Sequence, residues 1–313
     1  MVFSPQPLHI PDGFLSVLVS AISWLITIVL VGIAIRRAKF EINERQIPFM
    51  GIMAAFIFAA QMINFPVAGG TSGHLLGGAL AAIVLGPWTG MLVMASVIIV
   101  QALLFQDGGL VVMGANILNM GIVTALIGFG LYRAVSKRGL ATRLSVAGIA
   151  AWLSVIAGAL LTSIQLWLSG TSPAGLVFPA MLGVHMLIGI GEALITVGVL
   201  GFINQVRPEL ISVEKIEALG NYSWVIGGII ISILVVLISP WASINPDGLE
   251  RVAEDLEFLY TGTEAPYQLL PDYIIPALGE SGFSTILAGI IGIVVVFLIV
   301  FGIGRVVQYQ LKE

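Results

Sequence analysis

Residues 74–94 read HLLGGALAAIVLGPWTGMLVM. The run up to Gly86 is apolar and small, but it holds too few residues to cross a bilayer, where a standard helix takes about 20 apolar residues. Gly86-Pro87 then breaks it, because proline neither donates a main-chain hydrogen bond nor lets the preceding residue continue a helix easily. A second apolar run starts directly behind the break. Taken as a short or tilted crossing, 74–86 gives the chain nine spans; taken as a re-entrant element, it gives eight.

The rest of the chain supplies the other eight spans. Apolar runs of bilayer length lie near 14–35, 47–64, 88–105, 110–133, 144–168, 177–203, 223–240 and 284–306. Only 10% of the 313 residues are charged, against about a quarter in a soluble chain, and mean hydropathy is +1.07. The runs are continuous rather than alternating, which excludes an outer-membrane barrel. The fold class expected is therefore an all-α, polytopic helical membrane protein.

Lys and Arg decide between eight spans and nine, since they mark cytoplasmic loops. Arg36, Arg37, Lys39 and Arg45 follow the first span; Arg133, Lys137, Arg138 and Arg143 the fifth; Arg207 and Lys215 the seventh; Arg305 and Lys312 the last. With nine crossings and the N-terminus outside, all of these fall on one side, and Arg251 alone of the thirteen basic residues falls on the other. Eight crossings would scatter the later clusters onto the wrong face. No cleavable signal peptide is apparent, as no Lys or Arg precedes the first apolar run, so the first span is expected to be retained. The setting expected is the plasma (inner) membrane of a prokaryote, with lipid around the chain and no nucleic-acid partner. The stretch 204–222, NQVRPELISVEKIEALGNY, reads as a cytoplasmic linker. It divides a seven-span unit, 1–205, from a two-span unit, 223–313, whose outer segment 241–283 is acidic and rich in Pro, Gly and Tyr.

This topology gathers LHIPDGF at 8–14, GGTSGHL at 69–75 and QDGGL at 106–110 on the outer face. Two of the chain's three histidines, His9 and His74, lie there. A lone histidine at a membrane interface is ordinarily a polar cap, but two imidazoles set in glycine-rich outer backbone suit a divalent nickel, cobalt, copper or zinc ion. They make an incomplete site, so a further donor is required. His185 and Glu192 lie two helical turns apart inside one span and share a face. They either pair across helices or touch a substrate. Asn64 and other intramembrane amides suit hydrogen-bond networks of the same kind. Asp12, Asp107 and Asp247 each precede glycine, as turn residues do.

Several chemistries have no motif here. The chain has no cysteine, so disulfides and thiolate sites are excluded, and Walker A, HExxH and GxSxG sequences are absent. A channel reading lacks repeated pore-lining charges. A membrane-embedded metalloenzyme using His9, His74, His185 and Glu192 is the alternative of a different class.

HIPDGFL at 9–15, NFPVAGGTSGHLLGGALAAIVLGPWTGMLVM at 64–94, QALLFQDGGLVVMGANILNMG at 101–121 and HMLIGIGEALIT at 185–196 together resemble the CbiM/NikM family. These are the substrate-binding membrane components of energy-coupling factor transporters for cobalt and nickel. SPWASINPDGLERVAEDL at 239–256 resembles the small NikN/CbiN-type partner with its PDGLE segment, so the chain looks like a fusion of the two. The resemblance implies an ATP-driven importer of Ni²⁺ or Co²⁺ with no catalytic cofactor, working with separate ATP-binding subunits and a coupling transmembrane protein. It also implies the missing donor. In the family the mature N-terminal amine, the amide and ring nitrogens of the following histidine, and a second histidine from the GGTSGHL motif form a near-planar nitrogen set. His9 and His74 match the two histidines, and Leu8 takes the amine position, with Asn64, His185 and Glu192 left to support or packing.

This chain departs from that pattern at its start. Leu8 is internal, behind MVFSPQP, and an internal peptide nitrogen is not a free amine. Either the extension is removed after Pro7, or translation begins at residue 8 on a UUG or CUG codon, or the extension stays and another donor such as Asp12 or Asn64 completes the site.

Overall fold

The structure is a computed structural model that describes residues 9–42, 44, 46–208 and 223–309. Leu8 and most of the 206–222 linker lie outside these residues. The described chain is mostly helical: α1 Val17–Ala38, α2 Gln46–Gln61, α3 Gly78–Leu85, α4 Pro87–Val100, α5 Met113–Asn116, α6 Thr124–Ala134, α7 Leu140–Leu168, α8 Ala174–Val206, α9 Ser223–Ile238, α10 Gly248–Asp255 and α11 Gly282–Tyr309. A π-helical turn, Gln101–Phe105, extends α4, and a second, Ile117–Val123, joins α5 to α6. Among the described residues six stretches are long and apolar enough to cross a membrane: α1, Pro87–Phe105, Met113–Ala134, α7, α8 and α11. Two shorter apolar helices, α2 and α9, are 16 residues each, about 24 Å long at 1.5 Å per residue.

The stretch at 74–86 differs from a span. Its helical part, α3, is eight residues, about 12 Å, and every one of them is buried. Glycine is why it fits there. Gly86, with φ +91°, turns α3 into α4 at the expected Gly-Pro break. At Gly90 a Cβ would come within 2.8 Å of the Ala82 backbone, so α3 and α4 touch main chain to main chain. The helices wrapped around this pair are apolar on their outer sides as well: Leu25, Ile28, Leu194 and Leu298 are all more than half exposed, as lipid-facing residues of a membrane bundle would be. The tail helices α9 and α11 pack on α2, where Gly228 meets Ile52, and Gly51 and Gly304 meet Phe297 and Ile47.

One element departs from the all-α expectation. Phe65–Val67 (β1) and Thr71–Gly73 (β2) form an antiparallel hairpin with Pro66 opposite Ser72, turned by Gly69 and Gly70, both at positive φ. Ser72 donates its backbone N–H to the Pro246 carbonyl at 2.8 Å and its hydroxyl to the Asn245 carbonyl at 2.8 Å, tying the hairpin to the tail.

Between β2 and α3 the chain is irregular, and its amides need partners. Glu192 of α8, fully buried, provides them: its two carboxyl oxygens accept from Leu76 N at 2.6 Å and Gly77 N at 2.9 Å. The same two turns of α8 that carry His185 thus anchor the loop that carries His74. Replacing Glu192 with Ala leaves two buried N–H groups unpaired, at about 1–3 kcal/mol each. We expect Glu192→Ala to lower the unfolding temperature of the metal-free protein in detergent, and Glu192→Gln, which keeps one acceptor oxygen, to lower it less. Equal unfolding temperatures for wild type and Glu192→Ala would refute the anchoring role.

Candidate metal site

His9 is held by a loop-to-loop zipper. Ile10 N donates to Asn116 Oδ1 at 3.1 Å, and Asn116 Nδ2 donates to the Ile10 carbonyl at 3.0 Å. Two residues on, the Asp12 carboxylate accepts from the amides of Leu110, Val111 and Val112 at 2.8–3.1 Å. The two loops lie so close that a Cβ at Gly108, whose φ is +96°, would sit 2.9 Å from His9 Cβ. The LHIPDGF and QDGGL stretches, 98 residues apart, therefore form one structure.

All three histidines line one cavity of about 70 Å³. His9 is 2% exposed and His74 7%, and their rings meet edge to face with centroids 5.5 Å apart. His185, half-buried on α8, faces the same space beside Gly73, Asn116 and Asn119. The tail closes it: Asp247, Gly248 and Leu249 line the cavity, and a Cβ at Gly248 would come within 2.9 Å of the His185 ring.

The three rings share one hydrogen-bonding pattern. Nδ1 of His9 faces the Asp107 carbonyl at 3.1 Å, that of His74 the Leu75 carbonyl at 3.0 Å, and that of His185 the Met181 carbonyl at 2.8 Å. A carbonyl oxygen only accepts, so each Nδ1 carries the proton and each neutral ring keeps its lone pair on Nε2. Nε2 of His9 is buried with no hydrogen-bond partner. Leaving a buried polar nitrogen unmatched is costly. Burial lowers the His9 pKa below the ordinary imidazole value, against the pull of Asp107, whose carboxylate is 3.3 Å from Nδ1. Proton competition for this ring is correspondingly weak. Burial pushes Asp247, in the tail, up to about 7.

Among the described residues no three His, Asp or Glu side chains are arranged to hold a metal ion. Asn64 does not line the cavity. Its carbonyl instead accepts from Ser243 N at 2.7 Å, a further stitch to the tail. Glu192 is engaged by backbone amides, which takes it out of the four-residue set that a metalloenzyme would use. The turn reading of Asp107 and Asp247 from sequence was incomplete: Asp107 is 1% exposed and pairs with His9, while Asp247 caps α10 by accepting from Glu250 N at 2.7 Å. The only sequence signal for either was the Asp-Gly pair, which turns share. The hairpin that delivers His74 had no clear signal either, since Pro66, Gly69, Gly70 and Gly73 suit a loop as well.

Known proteins match this chain in two blocks. Residues 9–210 match the family described as the cobalt uptake substrate-specific transmembrane region, CbiM, and residues 222–309 match the PDGLE domain. An Archaeoglobus fulgidus protein named as a fused nickel transport protein, NikMN, is 36% identical over 95% of this chain and 98% of its own. The cobalt transport protein CbiM of Sorangium cellulosum is 31% identical over 65% of this chain and 94% of its own. The crystal structure of a truncated transition metal transporter superposes with a TM-score of 0.58 at 32% identity, covering 63% of this chain and 99% of the other. Motifs, site and match agree over the same residues: the chain belongs to the CbiM family and carries a PDGLE domain behind it.

Proposed function

We propose that this protein is the substrate-binding membrane subunit of an importer for a divalent transition metal ion, Ni²⁺ or Co²⁺. The observation that carries the reading is the convergence of His9 and His74 on one cavity, their rings edge to face with centroids 5.5 Å apart. In this reading His9 and His74 are ligands, and the amine and amide nitrogens at Leu8 and His9 complete a near-planar nitrogen set once the chain starts at residue 8; chelation beside its own amide requires the His9 ring to bind through Nδ1, so metal binding replaces that nitrogen's contact with the Asp107 carbonyl. Such a set suits nickel and cobalt(II) better than zinc, which prefers a tetrahedron. Ni²⁺ is slightly favoured by the fused tail and by the name of the fused relative. Separate ATP-binding subunits and a coupling membrane protein supply the energy.

The charge asymmetry supports nine crossings with the N-terminus and the 241–283 segment outside, the two units being 1–205 and 223–313 joined by a cytoplasmic linker. For that parity α3 and its irregular lead must together count as one crossing. Irregular backbone at membrane depth is tolerated where protein buries it, and α3 and the His74 loop are buried.

Three outcomes test this. His74→Ala should lose tightly bound nickel from the purified full chain while keeping its insertion and unfolding temperature; metal content equal to wild type would remove His74 from the site. His185→Ala should weaken binding less, and a loss as complete as for His74→Ala would make His185 a direct ligand. A cysteine placed at Tyr260, which is 85% exposed in the tail, should react with an impermeant maleimide added to intact cells; labelling only after lysis would contradict the proposed orientation.

The amine ligand has its own test. Intact mass of protein made from the native gene should show a chain beginning at residue 8, as methionine if that codon is the start. Binding should then weaken as pH falls, because protons compete for an amine with a pKa near 8 and for the amide nitrogen. An intact MVFSPQP extension on a chain that still holds nickel tightly would refute the amine ligand.

A further inference from the structure

We propose that the turn between α6 and α7 binds the phosphate headgroup of an anionic phospholipid. The proposal rests on the chain spanning a membrane and is independent of the metal reading.

The turn concentrates positive charge without counter-charge. Residues 108–191 contain no Asp or Glu, and the four basic residues among them, Arg133, Lys137, Arg138 and Arg143, all lie in this turn or on its flanks. The other basic clusters differ. Glu41 and Glu44 accompany Arg36, Arg37 and Lys39; Glu209, Glu214 and Glu217 accompany Arg207 and Lys215; Glu313 follows Lys312. Orientation in the membrane accounts for basic residues at any of these loops, but not for the missing acids at this one. Arg133, Lys137 and Arg138 are exposed, and among the described residues none of the three pairs with a carboxylate.

Local structure holds this charge in place. Arg143 donates from Nε and Nη2 to the Tyr132 hydroxyl at 3.0 and 2.6 Å, with its guanidinium 5.4 Å from that ring's centroid. The Arg133 guanidinium lies 5.6 Å from the centroid of Phe129. Both aromatic partners are neutral, so they restrain the side chains and leave their charge intact. Helix α7 adds to the field: it runs for 29 residues and starts behind Gly139 with no side-chain cap and no acidic residue in its first turn. Its first amides and the positive end of its dipole therefore lie at the turn. A Cβ at Gly139 would meet nothing within 4 Å, which leaves room for a headgroup. A phosphate diester accepts from guanidinium, ammonium and helix N-terminal amides together.

The flanks identify the phosphate as a lipid's. The turn joins two stretches of spanning length, Met113–Ala134 and α7, which puts it at headgroup level. Leu126, Leu131 and Leu140 beside it are exposed, and acyl chains cover such side chains where a soluble anion would not. Farther along, the same two stretches carry Asn119, Gly158 and Thr162, which line the histidine cavity. A lipid held at the turn therefore anchors the helix pair that backs the cavity.

The test is lipid titration of the purified full chain in detergent, read by native mass spectrometry. Wild type should take phosphatidylglycerol in preference to phosphatidylcholine of the same acyl chains. Removing cations with Arg133→Gln, Lys137→Gln and Arg138→Gln should lower that preference about fivefold for each, while Lys137→Arg should keep it. The pair Arg36→Gln and Arg37→Gln removes the same charge as Lys137→Gln with Arg138→Gln, but at another loop, and should leave the preference in place. Equal uptake of the two lipids by wild type, or equal losses in the two paired variants, would overturn the proposal. Displacement of the lipid by inorganic phosphate at the same concentration would make this a site for a soluble anion, and tighter binding of a poly-glutamate peptide than of phosphatidylglycerol would make it a protein contact. Either result would overturn the lipid assignment.

Discussion

A peptide group that leaves a helix within a bundle of apolar helices must find a partner, since an unpaired one costs several kcal/mol where no water can reach it. The segment from Asn64 to Gly77 is such a departure, and the structure can be read as its consequences. Part of it pairs with itself as a hairpin. Part pairs with tail carbonyls through Ser72, and the last turn before α3 pairs with Glu192. His74 sits between these anchors, in a segment held by the Glu192 side chain of α8, by tail carbonyls and by its own strand pairing.

The imidazoles obey the same constraint. Each Nδ1–H is matched to a main-chain carbonyl, which fixes the tautomer. Backbone acceptors do this without adding charge. Asp107 and Asp247 add carboxyl groups beside the cavity, one behind His9 and one from the tail, where their ionised forms would attract a divalent ion.

The tail closes the cavity over the histidines and stitches itself to the hairpin, to the QDGGL loop and to α2. Its helices dock on α2 through glycines that let backbones approach, the packing that membrane helices use in place of a hydrophobic driving force. A PDGLE domain joined covalently to its partner keeps these contacts at high effective concentration, and Leu249 joins Ile10 and Phe14 in one core. Removing the tail would uncover the histidines as well as shorten the chain.

The sequence alone determined the apolar helical character, the Gly86-Pro87 break, the grouping of the basic residues between apolar runs, and His9 and His74 as the residues of interest. These depend on composition and local order, which a chain carries without folding. Only the tertiary structure decided that His185 shares their cavity, that Glu192 instead anchors the His74 loop, and that Asp107, Asp247 and Tyr273 surround the site. His185 and Glu192 lie on one helix face, and sequence could not say which would meet the cavity and which the backbone. The separations explain the rest: Asp107 lies 98 residues from His9 and 166 from Tyr273. No local pattern records such a meeting, because it is set by how the helices pack and by which buried groups must find one another.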